Sequence, residues 1–253
     1  MADDSSASPA ATVALGEVVI VGGGCYGTFY AGQMLRARAR GAANWRRLLV
    51  VDRDPECRAG QAIARADGAE LVVEEWGAFF DGYLGAAAPA VDAPDAIVPS
   101  PLMPHLMYEW LLRRARTRWP GREIDTRPVP MGPGTPYDVQ APDGTRYVSF
   151  ADWLCPVHCI EPAICPMIRA PRTWEMGDAM AELTHRLGQV HPTAGPVLFT
   201  CRHRVYGVGM FDVATVLEGD AVVARAGAEG TPVDVLVGTI SACHGAASLL
   251  RLG

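Results

Sequence analysis

The chain has 253 residues, of which 49% are hydrophobic, and its formal net charge at pH 7 is −6. This length allows one or two domains with a sizeable core, and the negative charge argues against binding to nucleic acid or to an anionic membrane. All 22 basic residues are arginine, which excludes Schiff-base catalysis and a phosphate-binding Walker lysine, and no apolar run approaches the roughly 18 residues of a membrane-spanning helix.

The start of the chain and the cysteines indicate a cytoplasmic protein. Residues 1–15 carry acidic side chains and no long apolar segment, so we expect a disordered tail rather than a secretory signal. The seven cysteines are odd in number and unevenly spaced. This pattern favours free thiols, metal ligands or a redox site over a disulfide framework.

A glycine-rich turn organises the first half of the chain. The apolar run Val18–Val21 meets Gly22, Gly24 and Gly27 in a G-x-G-x-x-G pattern, and an amphipathic segment follows. This order predicts a strand, a tight turn and a helix whose first N–H groups face the phosphates of a bound nucleotide.

Further apolar runs predict alternating strands and helices up to about residue 120. We expect strands at Leu48–Asp52, Glu70–Val73 and Asp95–Val98, and helices at Pro55–Ala66, Trp76–Leu84 and His105–Trp119. Such alternation predicts a doubly wound parallel sheet, Rossmann-like, over residues 16–120.

Asp52 ends the second predicted strand 25 residues after Gly27. At this position a carboxylate accepts hydrogen bonds from an adenosine ribose and repels a 2′-phosphate, which favours NAD over NADP. Arg53 is a candidate contact to adenine or phosphate, and Cys25 and Tyr26 lie inside the turn. FAD is disfavoured because the sequence carries no clear second dinucleotide motif.

The set Gly22, Gly24, Gly27 and Asp52 resembles the motif of the Rossmann NAD(P)-binding superfamily, which includes the NAD-binding domains of potassium-uptake regulators and dehydrogenases. By element order, the resemblance covers about the first 120 residues. It implies a bound adenine dinucleotide and no particular reaction.

The composition changes after residue 120, because eleven of the twenty prolines fall between Pro89 and Pro142. We therefore predict a C-terminal α+β region over residues 121–253, which can pack as one unit with the first part. Its predicted hairpin joins two strands around Asp143-Gly144, and a helix follows near Trp174–Leu187. The remaining predictions are strands at Val197–His203, Met210–Leu217, Ala221–Arg225 and Val233–Ile240, and a final helix from about His244.

A cysteine-rich loop over residues 153–166 is the unusual feature of this region. Cys155, His158, Cys159 and Cys165 follow the pattern C-x2-H-C-x5-C, and three prolines stiffen the segment. Thiolates and an imidazole gathered this closely suit zinc or an iron–sulfur cluster, although the spacing matches neither standard pattern. A metal-free loop is the alternative.

Four more residues are candidate ligands. Cys201 and His203 alternate along a predicted strand and would share one face, and Cys243 and His244 lie where the last strand ends. For each pair, a buried cysteine beside a satisfied histidine is the simpler interpretation.

The catalytic residues stay unassigned, with His105 and Glu161 as weak candidates. His105 follows the fourth predicted strand, where ligands of open α/β sheets bind. Glu161 lies between the loop cysteines, where it would act as an acid or base or cap the next turn.

These patterns favour an NAD(P)-binding redox protein or oxidoreductase with a Cys/His metal or iron–sulfur site. A protein redox partner is compatible with that function. The alternatives are a non-catalytic nucleotide sensor with a structural metal and, third, an S-adenosylmethionine-dependent methyltransferase. The oligomeric state and the substrate are not encoded in any motif.

Overall fold

The computed structural model describes residues 11–87, 92–156 and 159–253, and over these residues it is a mixed α/β protein with parallel and antiparallel sheets. Its helices are α1 (Cys25–Ala39), α2 (Arg58–Ile63), α3 (Trp76–Ala86), α4 (Leu106–Arg118), α5 (Met176–Gly188) and α6 (Val213–Ala228). Its strands are β1 (Val13–Val21), β2 (Ala43–Asp52), β3 (Ala69–Val73), β4 (Ala96–Val98), β5 (Ile124–Arg127), β6 (Tyr137–Gln140), β7 (Arg146–Ser149), β8 (Ile164–Cys165), β9 (Ala170–Pro171), β10 (Thr193–Thr200), β11 (Arg202–Val205), β12 (Val208–Asp212), β13 (Val233–Ile240) and β14 (His244–Leu252).

The first sheet has the strand order β11-β12-β4-β1-β2-β3. Strands β4, β1, β2 and β3 are parallel, whereas β12 is antiparallel to β4 and β11 is antiparallel to β12. Two strands from the C-terminal half therefore complete a sheet that begins in the N-terminal half. A boundary at residue 120 therefore does not separate the two sheets from each other.

The second sheet has the order β10-β13-β14-β7-β6, and β5 adds to β14. Among the described strand pairs of this sheet, β10–β13 alone is parallel. Strand β8, at the end of the cysteine-rich loop, pairs with β9, which follows the loop, in a separate two-stranded ribbon.

Alternating side chains on the strands divide the core into layers. Val19 and Val21 face a central core that both sheets share with α3, α4 and α6, whereas Val18 and Ile20 face α1 on the other side of the first sheet. Helix α5 covers the outer face of the second sheet. None of the described helices is long and apolar enough to cross a membrane.

Most predicted elements of the N-terminal half are confirmed with small changes in their ends. Strand β1 begins at Val13, so it extends into the segment expected to be a disordered tail, and residues 1–10 lie outside the described part. The hairpin is also confirmed, because Gly144 has a φ of +91° and its N–H donates to the carbonyl of Ala141.

The predicted strand Met210–Leu217 is confirmed only up to Asp212, where β12 ends. The rest of it and the predicted strand Ala221–Arg225 are wrong, because α6 occupies residues from Val213 onward. Its valines favour strand by propensity. The buried positions Val213, Val216, Asp220 and Val223 nevertheless repeat every three or four residues, which is the period of a helix packed on a core.

The predicted final helix from His244 is also wrong. The segment is β14, which pairs with β13, β7 and β5, so partners distant in sequence override the helical preference of its alanines and leucines. The predicted strand Val197–His203 is instead two strands, because the chain leaves the second sheet after Thr200 and enters the first sheet at Arg202.

Phe199 joins the two sheets. It is fully buried on β10, and its ring lies 5.8 Å from that of Phe211 on β12. We predict that Phe199→Ala lowers the free energy of unfolding by about 3–5 kcal/mol because it leaves a cavity in the shared core. Urea unfolding followed by tryptophan fluorescence and far-ultraviolet circular dichroism measures the change.

Exposed Val190 is the control, and Val190→Ala should change the same free energy by less than about 0.5 kcal/mol. Both optical signals should report one coincident transition in each protein. Two separate transitions in the unsubstituted protein would contradict a shared core.

Candidate functional site

The three glycines of the turn between β1 and α1 have different structural roles. Gly22 has a φ of +86°, which favours glycine, and its N–H donates to Val51 O at 2.9 Å. A Cβ on Gly27 would overlap the carbonyl oxygen of Gly22, so this glycine lets α1 approach β1 closely. At Gly24, apart from its two neighbours in the chain, no atom of the described residues lies within 4 Å of the position of a Cβ. The turn therefore presents open space above the N-terminus of α1.

Asp52 is fixed against this turn. Its Oδ2 accepts from the N–H of Gly23 at 2.6 Å, and its Oδ1 accepts from the N–H of Asp54 at 2.9 Å. The half-buried carboxylate thus lies beside the open space, at the carboxyl end of β2.

The other predicted nucleotide contacts surround the turn on the surface. Cys25 is the exposed first residue of α1, and the ring of Tyr26 stacks on that of Tyr30 at 6.5 Å. Arg53 is 79% exposed and forms an ion pair with Glu75 at 3.6 Å.

A cavity of about 330 Å³ lies between the two sheets. It is bounded by residues that follow the carboxyl ends of β4, β10 and β13, which is where ligands bind in open parallel sheets. The lining residues are Tyr30, Pro99, Ser100, Pro101, Pro104, Tyr147, Cys201, His203, Gly209, Thr239, Ile240, Ser241, His244, Gly245 and Ala246. We call this space the central cavity.

Two histidines of the central cavity are oriented by hydrogen bonds. His203 Nδ1 lies 2.9 Å from the carbonyl oxygen of Gly207, and because a carbonyl only accepts, Nδ1 carries the proton. Nε2 is then the ring nitrogen that has a lone pair to accept a proton. His244 Nδ1 lies 2.9 Å from Ser149 Oγ, which holds this second ring against β7.

A neighbouring cavity of about 340 Å³ shares Cys201 and His203 with the central cavity. Charged side chains line it, among them Glu161, Arg172, Glu175 and Arg202. The residue Cys201 as a whole is half-buried, but its sulfur is surrounded by protein atoms. This burial raises the pKa of the thiol to about 12. The predicted Cys201 and His203 pair therefore lies on the wall between an apolar and a charged space.

His105 lies behind the wall of the central cavity rather than inside it. The ring is buried, stacks on Tyr108 at 4.7 Å, and places Nδ1 3.3 Å from Thr239 Oγ1. Burial lowers the pKa of His105 to about 3, with a smaller opposing effect of Asp143. A neutral buried imidazole does not exchange protons near pH 7, so this position argues against the catalytic role considered for it.

The cysteine-rich loop brings its described thiols close enough for their charges to interact. Burial raises the pKa of the Cys155 thiol, and negative charge on Cys159 and Cys165 raises it further. The predicted ligand His158 lies outside the described residues. Among the residues that are described, no three His, Cys, Asp or Glu side chains are placed to hold a single metal ion.

Glu161 connects this loop to the turn between β13 and β14. Its carboxylate accepts from Ser241 Oγ at 2.6 Å, from Ala242 N at 2.9 Å and from Cys243 N at 3.2 Å. Glu161 itself has a φ of 51°, and its carbonyl oxygen accepts from Arg172 Nη1 at 2.6 Å. The Glu161 carboxylate therefore caps the distant turn between β13 and β14 rather than the turn that follows it in sequence.

Sequence reasoning missed several residues of the site. Ser100 lies two residues after the end of β4, so the rule that placed His105 near a ligand could have selected it. Tyr30 lies one helical turn after Gly27 and was treated as part of an amphipathic face. Trp174 donates its indole N–H to Cys243 Sγ at 3.3 Å. This contact spans 69 residues, so no local sequence pattern predicts it.

The depressed pKa of His105 predicts a pH dependence of stability. Its folded pKa of about 3 lies below the unfolded value of about 6.5, so the unfolded chain binds one more proton between these pH values. Stability is fully present above pH 6.5 and falls as pH decreases, by about 1.4 kcal/mol per pH unit from this residue. His105→Gln should remove that slope in urea unfolding at pH 4.5–7, whereas His185→Gln, at an exposed position on α5, should keep it. Equal slopes in the two variants would contradict the buried neutral state.

Comparison with models of protein families matches residues 107–253 to the family described as "Uncharacterized protein, C-terminal domain". No curated protein and no solved structure matches the chain. The matched stretch begins in α4 and includes the cysteine-rich loop and most walls of the central cavity, but not the glycine turn. Because the match spans more than half of the chain, the protein belongs to this family.

Proposed function

We propose that the protein is an NAD(P)-binding oxidoreductase in which an adenine dinucleotide lies across the glycine turn, with NAD preferred. The observation that carries the proposal is the division of roles in the turn: Gly22 adopts positive φ, Gly27 allows close packing, and Gly24 faces open space. This is the division that pyrophosphate binding requires. The N–H groups at the start of α1 and its dipole would then stabilise the phosphate charge.

The arrangement of the first sheet supports the same proposal. Parallel strands lie in the order β3-β2-β1-β4, and α1 leaves the turn that directly follows β1. This order corresponds to one half of a Rossmann sheet, with helices packed on both of its faces. We therefore propose a Rossmann-like, doubly wound core extended by the antiparallel strands β12 and β11.

The central cavity is the proposed place of the chemistry. Tyr30 on α1 and Ser100 after β4 both line this cavity. The cavity therefore lies along the path of a dinucleotide that starts at the glycine turn. Mainly apolar walls would exclude water from the transferred hydride. His203 Nε2 supplies a proton acceptor for the hydroxyl of a substrate that is being oxidised.

Cysteine and histidine side chains converge on one cavity, and this favours an enzyme over a nucleotide sensor. A sensor needs only a structural metal site away from the nucleotide, whereas here Cys201, His203 and His244 line one cavity. The cysteine-rich loop also contacts the cavity wall through Glu161 and Ser241. We propose that the loop carries a metal or iron–sulfur centre as the second redox component.

Gly24 provides the direct test of nucleotide binding. Gly24→Ala should weaken NADH binding about tenfold or more, because the methyl group would enter the space assigned to the pyrophosphate. Isothermal titration calorimetry with NADH measures the change in Kd.

Gly32→Ala is the matched control. Apart from its chain neighbours and the nearby backbone of α1, Gly32 also has no atom of the described residues within 4 Å of its Cβ position, but it lies two turns along α1. It should leave NADH affinity unchanged and raise helix stability by about 0.5–1 kcal/mol. If the unsubstituted protein does not bind NADH or NADPH, or if both alanine variants bind equally, the proposed site is wrong. Tight binding of S-adenosylmethionine instead would favour a methyltransferase.

Asp52 determines the preference between the two dinucleotides. Asp52→Asn keeps an acceptor for the N–H of Gly23 but removes the charge that repels a 2′-phosphate. We expect the ratio of NADPH to NADH affinity to rise about tenfold or more in parallel titrations. The control is Asp54→Asn, at an exposed position, which should leave the ratio unchanged. An unchanged ratio in Asp52→Asn would show that the Asp52 carboxylate does not face the ribose.

A further inference from the structure

The cavity beside the central cavity has a volume of about 340 Å³, and the proposed function gives it no role. A space of this volume holds a small ligand or the polar end of a larger one. It adjoins the central cavity at Cys201 and His203, which line both spaces. We call it the charged cavity, because four ionic side chains line it: Glu161, Arg172, Glu175 and Arg202.

The two carboxylates of the charged cavity already have partners. Both carboxylate oxygens of Glu161 accept hydrogen bonds from the turn between β13 and β14. Glu175 Oε1 accepts from Arg172 Nη2 at 2.5 Å in an ion pair. Both negative charges are therefore engaged by donors of the protein itself.

The two arginines of the charged cavity differ in their partners. Arg172 is held by its ion pair with Glu175 and by a second hydrogen bond, from Nη1 to Glu161 O at 2.6 Å. Arg202 is exposed on β11, where it lies opposite Met210 of β12. No carboxylate of the described residues lies within 4 Å of its guanidinium, and no described atom accepts a hydrogen bond from it. Within the described part of the chain, Arg202 thus leaves the charged cavity with an unpaired positive charge.

An unpaired arginine beside an apolar space favours an anion with an apolar body. The guanidinium fork matches the two oxygens of a carboxylate, which it binds through two parallel hydrogen bonds. A dianion such as a phosphate monoester fits less well, because the charges of Glu161 and Glu175 line the same space and repel a second negative charge. The charge balance therefore favours a single carboxylate.

The next residue on β11 connects this cation to the central cavity. His203 follows Arg202 directly and lines both spaces. Its Cε1 lies 3.5 Å from the position of a Cβ on Gly209, so the missing side chain at this glycine leaves room beside the ring. A molecule that extends from Arg202 past His203 enters the central cavity, whose apolar walls include Pro101 and Ile240.

We propose that the charged cavity binds the carboxylate of the substrate and that Arg202 is the residue that contacts it. The substrate is then a hydroxy acid: its carboxylate pairs with Arg202, its hydroxyl group lies at His203, and its apolar chain occupies the central cavity. Because Arg202 and His203 are consecutive, the carbon that carries the hydroxyl group lies close to the carboxylate. The role of His203 rests on the proposed function, whereas carboxylate binding at Arg202 is measured without any reaction.

Three variants test the contact. Arg202→Gln removes the positive charge and keeps a hydrogen-bonding side chain at an exposed position. Arg202→Lys keeps the charge but not the fork of donors. Arg225→Gln makes the same change at an exposed position on α6 and is the matched control. Circular dichroism shows whether each variant is folded.

The probes are 2-hydroxy-4-methylpentanoate and its uncharged amide, which has the same hydroxyl group and the same apolar chain. Ligand-observed NMR titrations measure the Kd of each probe, with the protein alone and with the protein in excess NADH. The unsubstituted protein and Arg225→Gln should bind the acid about tenfold or more tightly than the amide, because only the acid forms a charge-assisted pair. Arg202→Gln should lose this difference by binding the acid more weakly, and Arg202→Lys should lie between the two.

Equal affinities for acid and amide, no binding of the acid under either condition, or unchanged affinity for the acid in Arg202→Gln would overturn the carboxylate site. Tighter binding of inorganic phosphate than of the acid would overturn it as well. None of these results affects the NADH titrations of Gly24→Ala, so the dinucleotide site is decided separately. If NADH does not bind but the acid still binds through Arg202, the proposed function fails and the carboxylate site stands.

Discussion

The crossing of the chain between its two sheets at Cys201 is the constraint on which the site depends. The N–H of Cys201 donates to Ile240 O at 2.7 Å, so the chain is held to β13 at the residue where it leaves β10. The next strand, β11, already belongs to the first sheet. Because of this crossing, the carboxyl ends of parallel strands from both sheets border one cavity. Strand ends that belong to two different sheets are therefore adjacent within one core.

The three parts of the site differ in how firmly they are built. The glycine turn is a rigid backbone feature whose shape is set by close packing of α1 on β1. The central cavity is bounded by side chains from both sheets and inherits its rigidity from the core that Phe199 and Phe211 share. The cysteine-rich loop is held mainly by the hydrogen bonds of Glu161 and Arg172. A dinucleotide would meet a preformed surface, whereas a metal centre would supply part of the order of its own site.

The sequence predicted correctly those elements whose conformation depends on interactions between residues close together in the chain. The glycine turn, the strand that ends in Asp52 and the hairpin at Gly144 depend on residues a few positions apart, and all were located correctly. Strand β14 and helix α6 were assigned wrongly because their partners come from distant segments and outweigh intrinsic preference. The site follows the same rule: the cysteine pattern was visible, but the position of Trp174 beside Cys243 arises only from the tertiary fold.

The three hydrogen bonds accepted by Glu161 make the loop and the cavity wall a single cooperative element. If the loop left its position, Ser241 Oγ and two backbone N–H groups would lose their acceptor together, at the cost of several unsatisfied donors. Ser241 and His244 line the central cavity, so their positions follow those of the loop. The shape of the central cavity is thereby linked to the position of the cysteine-rich loop, so a displacement of the loop would change the cavity wall.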